Sequence, residues 1–168
     1  EHEFVNIEKL KDVHPNLKKF ITSEKKFEDG LYKHQVDSFN KISEEKNVLI
    51  TAPTASGKTE SFLFPILNHI ISSPQDEGIV AAFVYPTKAL AKDQSLRIKD
   101  YAEKFGIVVE IMDGDTIAKP DPETNVEDID ETKKIRLEIL RRKPKILLTN
   151  FDFIHNRMWR KGVVDREF

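Results

Sequence analysis

The chain has 168 residues, 39% of them hydrophobic and 33% charged, which is long enough to bury a core and describes a globular protein with a well-charged surface. It contains no cysteine, so a disulfide framework and a thiolate zinc site are both excluded. No apolar run approaches the ~20 residues that span a bilayer, Glu1-His2-Glu3 does not read as a signal peptide, and with a net charge of −2 a nucleic-acid binder must gather its positive charge on one face.

In chain order, residues 1–30 form a charged lead-in with apolar positions at Phe4, Val5, Ile7, Leu10, Leu17, Phe20 and Ile21. They predict one or two short helices or an extended segment, with no chemistry of their own. Gly30 punctuates, and Leu31, Gln35, Phe39 and Ile42 then fall at helical spacing, predicting an amphipathic helix that ends near Lys46. Leu31, Phe39 and Ile42 read as core. Gln35 carries a primary amide, which can offer an adenine edge one donor and one acceptor, although an exposed glutamine is also ordinary.

The most informative stretch is N-V-L-I-T-A-P-T-A-S-G-K-T, from Asn47 to Thr59. Val48–Ile50 predicts a short strand, a turn of small residues follows, and a helical pattern comes next; that order is the context a phosphate-binding loop needs. Backbone N–H groups around Ala55–Thr59 can point into one concavity, to which the helix N-terminus adds its positive dipole end. Lys58 would reach the β- and γ-phosphates, and the Thr59 hydroxyl would ligate Mg²⁺. The candidate nucleotide contacts are Thr54, Ala55, Ser56, Gly57, Lys58, Thr59 and Glu60, with Gln35 for the base. Ala52 stands where the usual pattern opens with glycine, which is tolerable only at negative φ. The competing reading is a chance G-K-T at a helix start.

Beyond the loop, Glu60–Ile71 predicts a strongly apolar helix with Pro65 kinking or loosening it. Ser72–Gly78 is a turn cluster, and Ile79–Tyr85 predicts a strand buried on both faces. Pro86-Thr87 opens a long helix with Thr87 as N-cap, ending near Phe105-Gly106. Ile107–Met112 and Lys145–Leu148 predict two more strands, the last leading into a helix from about Asp152 to Trp159. Between them, Asp113–Thr132 reads as a long acidic loop, and Lys133, Lys134, Arg136, Arg141, Arg142 and Lys143 as a basic helix with a solvated face or a phosphate contact. Alternating strands and helices imply βαβ units, a mostly parallel sheet and an α/β fold. Ligands on such sheets bind beyond the strands' carboxyl ends, so A-P-T-A-S-G-K-T, Y-P-T-K-A-L, M-D-G-D-T and L-T-N-F-D are expected on one rim.

Those four segments, in this order and with L-Y-K-H-Q ahead of them, resemble the first RecA-like domain of superfamily 2 DEAD/DEAH-box-like helicases, over about Leu31–Met158. The resemblance implies a P-loop NTPase with a three-layer sandwich. It implies that Gln35 reads adenine, that Lys58 and Thr59 hold phosphate and Mg²⁺, and that ATP is the nucleotide. Y-P-T-K-A-L-A-K-D-Q is similar to motif Ia, which would bring Pro86, Thr87, Lys88 and Gln94 to a nucleic-acid backbone. D-G-D-T resembles the short turn after the third strand in the DNA helicases of this group. L-L-T-N-F-D resembles the T-N-P-D segment, which would bring Thr149 and Asn150 to the strand. Ala55 replaces a common glycine and Phe151 a common proline, the latter altering how Asn150 is presented. The aromatic residues beside these loops, Tyr85, Phe151, Phe153 and Trp159, can stack on bases but more often pack in cores.

The family hydrolyses ATP with an Asp-Glu pair after a further apolar strand and couples it to a second RecA-like domain bearing arginine fingers. No apolar run here ends in Asp-Glu; the nearest candidate is Asp113, but Glu110 interrupts its strand and Gly114 occupies the carboxylate's place. The expectation is therefore a partial first helicase domain over 31–168, inactive by itself, from a cytoplasmic, nucleoid or nuclear protein acting on single-stranded DNA without a membrane. The motif details lie closer to repair-type (RecQ-four-like) or defence-type (Cas-three-like) DNA helicases than to RNA-directed ones. The alternatives are a non-helicase P-loop NTPase such as a small-molecule kinase, and a nucleotide-gated interaction module.

Overall fold

The computed structural model describes residues 3–53, 56–113, 138–139 and 141–159. The chain divides into two compact units, Glu1–Asp76 and Glu77–Phe168.

In the first unit, β1 (Phe4–Val5) pairs antiparallel with β2 (Leu31–Tyr32), Phe4 opposite Tyr32 and Val5 opposite Leu31. A turn of 3₁₀ helix at Ile7–Lys9 leads to α1 (Pro15–Ser23). Proline at the first helical position costs nothing there, because that N–H has no intrahelical partner. The His14 ring caps the helix, its Nδ1 accepting from Asn16 N–H at 3.2 Å. The helices α2 (Lys33–Ser43) and α3 (Lys58–Ser72) pack along each other and bury Val36 and Phe39 from one side and Leu63, Phe64, Leu67 and Ile70 from the other. Leu17 and Ile21 bury the inner face of α1, and Phe27 meets Phe64 edge-on with ring centroids 5.5 Å apart. A buried amide closes the lead-in onto α3: Asn68 Oδ1 accepts from His14 N–H at 2.7 Å, and its Nδ2 donates to the Asp12 carbonyl at 3.2 Å. On the surface, Glu44 lies between the ammonium groups of Lys11 and Lys46 at 2.6 and 2.5 Å, and hydrogen bonding to them holds its carboxyl at about 2.

The second unit is built on a parallel sheet of order β3-β5-β4, with β3 at Ala81–Tyr85, β4 at Val109–Ile111 and β5 at Ile146–Asn150. Ala81–Tyr85 run in register with Ile146–Asn150, and Val109–Ile111 with Ile146–Leu148. Helix α4 (Lys88–Glu103) covers one sheet face with Ala91, Ile98, Tyr101 and Ala102. The opposite face carries a smaller cluster of Met112, Ile139 and Leu147, against which Ile79 and Phe153 pack. Helix α5 (Phe151–Trp159) follows β5 directly.

Several boundaries differ from the sequence reading. Leu31 and Tyr32 form a strand, so α2 starts two residues later than spacing suggests. Val48–Ile50 is not a strand: among the described residues nothing pairs with it, and Leu49 is 89% exposed. The residue types suit a strand, but a strand exists only through its ladder. The strand buried on both faces is β5, all five of its residues buried, whereas β3 lies at the sheet edge with Ala82 and Val84 exposed. Pro65 lies inside α3, as the sequence predicts, with Phe64, Pro65 and Leu67 all buried. Thr54 and Ala55, the acidic stretch after Asp113, and the first residues of the expected basic helix lie outside the described residues. Of that basic stretch, Arg142 pairs with Glu110 at 3.0 Å and with Glu138 at 3.4 Å.

Burial assigns the stability of the first unit to the α2–α3 contact. Leu67→Ala, at a site with no exposure, is expected to cost about 2–5 kcal/mol by chemical denaturation. Leu96→Ala, on an exposed turn of α4, is expected to stay within about 0.5 kcal/mol.

Candidate functional site

The residues predicted to form a phosphate loop lie in the first unit and are organised around Gly57. Its φ of 73° and ψ of 29° place it in the left-handed region, and it caps α3 so that Lys58 and Thr59 are the first two helical residues. A side chain here is excluded twice, by the backbone angle and by space, since a Cβ would stand 2.3 Å from Gln35 Nε2. The Gly57 carbonyl accepts from Gln35 Nε2 at 3.0 Å, from Ser61 N–H at 3.4 Å and from Ser61 Oγ at 3.3 Å. Upstream, Ser56 Oγ donates to the Pro53 carbonyl at 2.7 Å. Lys58 Nζ donates to the Ala52 carbonyl at 2.7 Å and to that of Pro53. Thr59 and Glu60 are buried in the first turn.

Gln35 is only 4% exposed, and both ends of its amide are engaged. Oε1 accepts from Tyr32 N–H at 2.9 Å while Nε2 reaches Gly57. The glutamine singled out for a nucleobase is thus also a brace between the start of α2 and the phosphate loop. Spacing could not reveal this, because the two partners are three and 22 residues away in opposite directions. The lead-in, read as chemically silent, supplies the strand that holds Tyr32. A pairing of two residues leaves no periodicity to detect.

The other candidate residues lie in the second unit. Pro86 and Thr87 are exposed between β3 and α4. The Thr87 hydroxyl oxygen accepts from Leu90 N–H at 3.2 Å as a helix N-cap, and Lys88 opens the helix. Gln94, one turn further on, donates to Asp93 at 3.1 Å. Thr149 and Asn150 close β5 with their side chains buried, Asn150 at 1% exposure. Tyr85 is in register with Asn150 on the neighbouring strand, so both side chains share one sheet face, and Thr149 points to the other. The Tyr85 hydroxyl, the Thr149 hydroxyl and both polar atoms of the Asn150 amide are buried with no hydrogen-bond partner among the described residues. Burial pushes the Tyr85 hydroxyl above its ordinary pKa, keeping it neutral. Of the aromatic residues weighed for stacking, Phe153 packs against the Met112 cluster, and Phe151 is exposed with its ring stacked on His155 at 5.8 Å. The Trp159 side chain lies outside the described residues. Asp113, the nearest candidate for a Mg²⁺ aspartate, is buried after β4.

A left-handed glycine delivering Lys-Thr onto a helix start, with a parallel βαβ sheet in the same chain, defines a phosphate-loop α/β protein of RecA-like fold. The family model for the DEAD/DEAH box helicase matches residues 32–165, and the chain belongs to that family. It is 32% identical over 130 residues to the uncharacterized ATP-dependent helicase YprA of Bacillus subtilis, covering 76% of this chain and 15% of that protein. A crystal structure of the DUF1998 helicase MrfA bound to DNA and AMPPNP superimposes with a TM-score of 0.67 at 30% identity, covering 92% of this chain and 19% of that one. The yeast DEAD-box splicing factor Prp28 shares the fold, with a TM-score of 0.65 at 19% identity over 98% of this chain and 37% of that one. The chain spans about a seventh of the length of YprA.

Gly78 is the counterpart of Gly57 without its crowding. Gly78 also has positive φ, 75°, but no atom lies within 4 Å of where its Cβ would stand. Both alanine variants carry backbone strain of about 1–3 kcal/mol. Gly57→Ala is expected to lose about 1–2 kcal/mol more in denaturant titrations, because it also displaces Gln35 from two hydrogen bonds.

Proposed function

We propose that the chain is the nucleotide-binding motor domain of an ATP-dependent nucleic-acid helicase or translocase that acts on DNA. The observation that carries this reading is Gly57, braced by Gln35, delivering Lys58 and Thr59 to the first turn of α3. Family membership supports helicase action over a small-molecule kinase or a non-catalytic nucleotide-gated module. The MrfA crystal with DNA and AMPPNP supports DNA as the strand and an adenine nucleotide as the fuel.

On this reading the N–H groups of Ser56 to Thr59, with those of Thr54, Ala55 and Glu60, receive the phosphates at the positive end of α3. Lys58 exchanges the carbonyls of Ala52 and Pro53 for phosphate oxygens. Gln35 keeps its brace and still has one N–H and one lone pair for an adenine edge. The Thr59 hydroxyl suits Mg²⁺, an ion that takes few protein ligands and prefers phosphate oxygens and water for the rest. When bound, the ion offsets the charge that develops on the transferring phosphoryl group.

For the nucleic acid, Thr87 has its hydroxyl proton available while its oxygen caps α4, and Lys88 adds charge at the same helix start, with Pro86 and Gln94 alongside. The Thr149 and Asn150 side chains are buried, so at that strand end contact runs through backbone N–H groups at the start of α5. The exposed Phe151 ring offers a stacking surface to a base. Contacts to phosphates hold a strand without reading its sequence, which a motor requires. Single-stranded DNA is the expected partner, a second RecA-like domain of the same natural protein completes the hydrolytic site, and the compartment is the cytoplasm, nucleoid or nucleus.

In the full-length protein, Lys58→Ala is expected to weaken nucleotide binding at least ~10-fold in a fluorescent-nucleotide titration, with an unchanged circular-dichroism spectrum. Lys88→Ala is expected to leave that titration unchanged and to reduce the salt dependence of single-stranded DNA binding by about one phosphate contact. Nucleotide affinity untouched by Lys58→Ala would overturn the assignment.

A further inference from the structure

We infer that Phe151 and His155 form a two-ring platform at the end of β5 that holds one unpaired base of a nucleic-acid strand, with Phe151 touching the base and His155 positioning Phe151. This rests on the reading that the ends of β3 and β5 meet nucleic acid, and it makes that contact depend on whether a base is present.

A lone exposed phenylalanine carries no meaning by itself. Here its surroundings supply one. Phe151 is 60% exposed, the most exposed phenylalanine among the described residues. It is the first residue past β5 and the first of α5, so its backbone continues a strand whose five residues are all buried. One turn further on, His155 is exposed as well, and the two rings form an offset stack with centroids 5.8 Å apart and planes 20° apart. Phe153, between them, turns the other way and packs against the Met112 cluster, which fixes α5 with its two-ring side outward.

The topology puts a ligand crevice beside this platform. Helix α4 leaves β3 on one face of the sheet, while α5 leaves the neighbouring β5 toward the Met112 cluster on the other. Adjacent parallel strands whose outgoing helices part in this way open a crevice beyond their carboxyl ends, where such sheets take ligands. Tyr85 and Asn150 end the two strands side by side, with buried polar groups that have no hydrogen-bond partner among the described residues. Phe151 follows Asn150 directly. An unpaired base suits the ring because every base has a π-face, so the contact tolerates any sequence. In a duplex both faces of a base are already stacked, and the platform therefore selects a single strand. The stack on His155 holds Phe151 in one orientation beforehand, which lowers the cost of ordering it when a base arrives. Asp152, exposed in the same turn, disfavours a phosphate over the ring. The start of α5 and its side thus serve different parts of one nucleotide. The proline that Phe151 replaces has a saturated ring and no π-face to offer.

The test measures binding of the full-length protein to a single-stranded thymine oligonucleotide over a range of salt concentrations. Copies of the oligonucleotide carry one abasic residue or one 2-aminopurine, moved along the strand. At one position the abasic residue is expected to raise the Kd about 5–10-fold, and 2-aminopurine at that position to be quenched on binding. Phe151→Ala raises the Kd for the intact oligonucleotide by the same factor of about 5–10 and abolishes the quenching. It leaves the slope of log K against log salt unchanged, because no phosphate contact is lost. The abasic residue then costs Phe151→Ala less than about twofold more, as expected when both changes remove one contact. Phe151→Tyr behaves as the natural protein, whereas Phe151→Leu, with apolar bulk and no ring, behaves as the alanine variant. His155→Ala loses about 2–4-fold, and His155→Tyr restores it. If Phe151→Ala does not fold, Phe151→Leu carries the same comparison. DNA affinity unchanged in the alanine and leucine variants, the result expected of a ring that serves a protein surface, overturns the inference. So does a salt slope lowered by about one phosphate contact, or a loss that multiplies with the abasic residue. Lys88→Ala separates the two failures: if it lowers the salt slope while the Phe151 variants are silent, only the platform falls. If Lys88→Ala and the Phe151 variants are all silent, the nucleic-acid reading falls with it.

Discussion

One buried carboxamide sets the geometry of the first unit. Gln35 joins Tyr32, at the start of α2, to Gly57, at the start of α3, and it does so from a position almost closed to solvent. Burial favours an amide with both ends engaged, because an unmade hydrogen bond there costs about 1–3 kcal/mol. That preference constrains three things together: the extended backbone of Tyr32, the left-handed backbone of Gly57, and the spacing between two packed helices. Apolar packing of Phe39 against the α3 side chains supplies stability without direction. The amide supplies the direction.

Sequence revealed the parts that are local and chemical. G-K-T at a helix start, Thr87 as an N-cap and an amide at position 35 each carry their meaning within a few residues, and the structure has each of them in its expected element. What was not legible depends on neighbours distant in sequence. Val48–Ile50 and Ala81–Tyr85 have equally strand-like composition, yet only the second finds a ladder among the described residues, alongside a strand 65 residues away, Ala81 facing Ile146. Which strand is central is likewise a property of sheet order, so I-V-A-A-F-V-Y reads as interior while I-L-L-T-N actually is. The pairing of Phe4 with Tyr32 belongs to the same class. The roles proposed for individual site residues rest on family resemblance and local chemistry, since position alone assigns no ligand.

The two exposed residues of β3 have a simple origin in the same sheet order. Phe83 lies under α4, and Ala82 and Val84 alternate away from it onto a face where the Met112–Ile139–Leu147 cluster sits over β4 and β5. Among the described residues β3 is an edge strand, and it presents apolar side chains there. Glu110, on β4 at the other edge, instead carries an ion pair to Arg142. The charge there suits a boundary with water, and the valine on β3 does not. The two edges of this sheet differ in chemistry, with β3 the more apolar.

The ends of β3 and β5 show how a sheet can concentrate polar groups without displaying them. Ile146, Leu147 and Leu148 bury both faces of β5, and the next two residues, Thr149 and Asn150, inherit that burial although their side chains are polar. Parallel register brings Tyr85 beside Asn150 on the same face, so a hydroxyl and a carboxamide lie on adjacent strands with no hydrogen-bond partner among the described residues. Each such group costs about 1–3 kcal/mol relative to a satisfied one. Leucine or valine in these places would avoid that cost and would fit the pattern of the preceding residues. The cost is tolerated because the apolar run ahead of it fixes the strand and α4 packs over the sheet, leaving the last two residues no freedom to turn their side chains to water. The rigidity that makes β5 the central strand is thus also what holds polar groups at its end in a fixed, desolvated position.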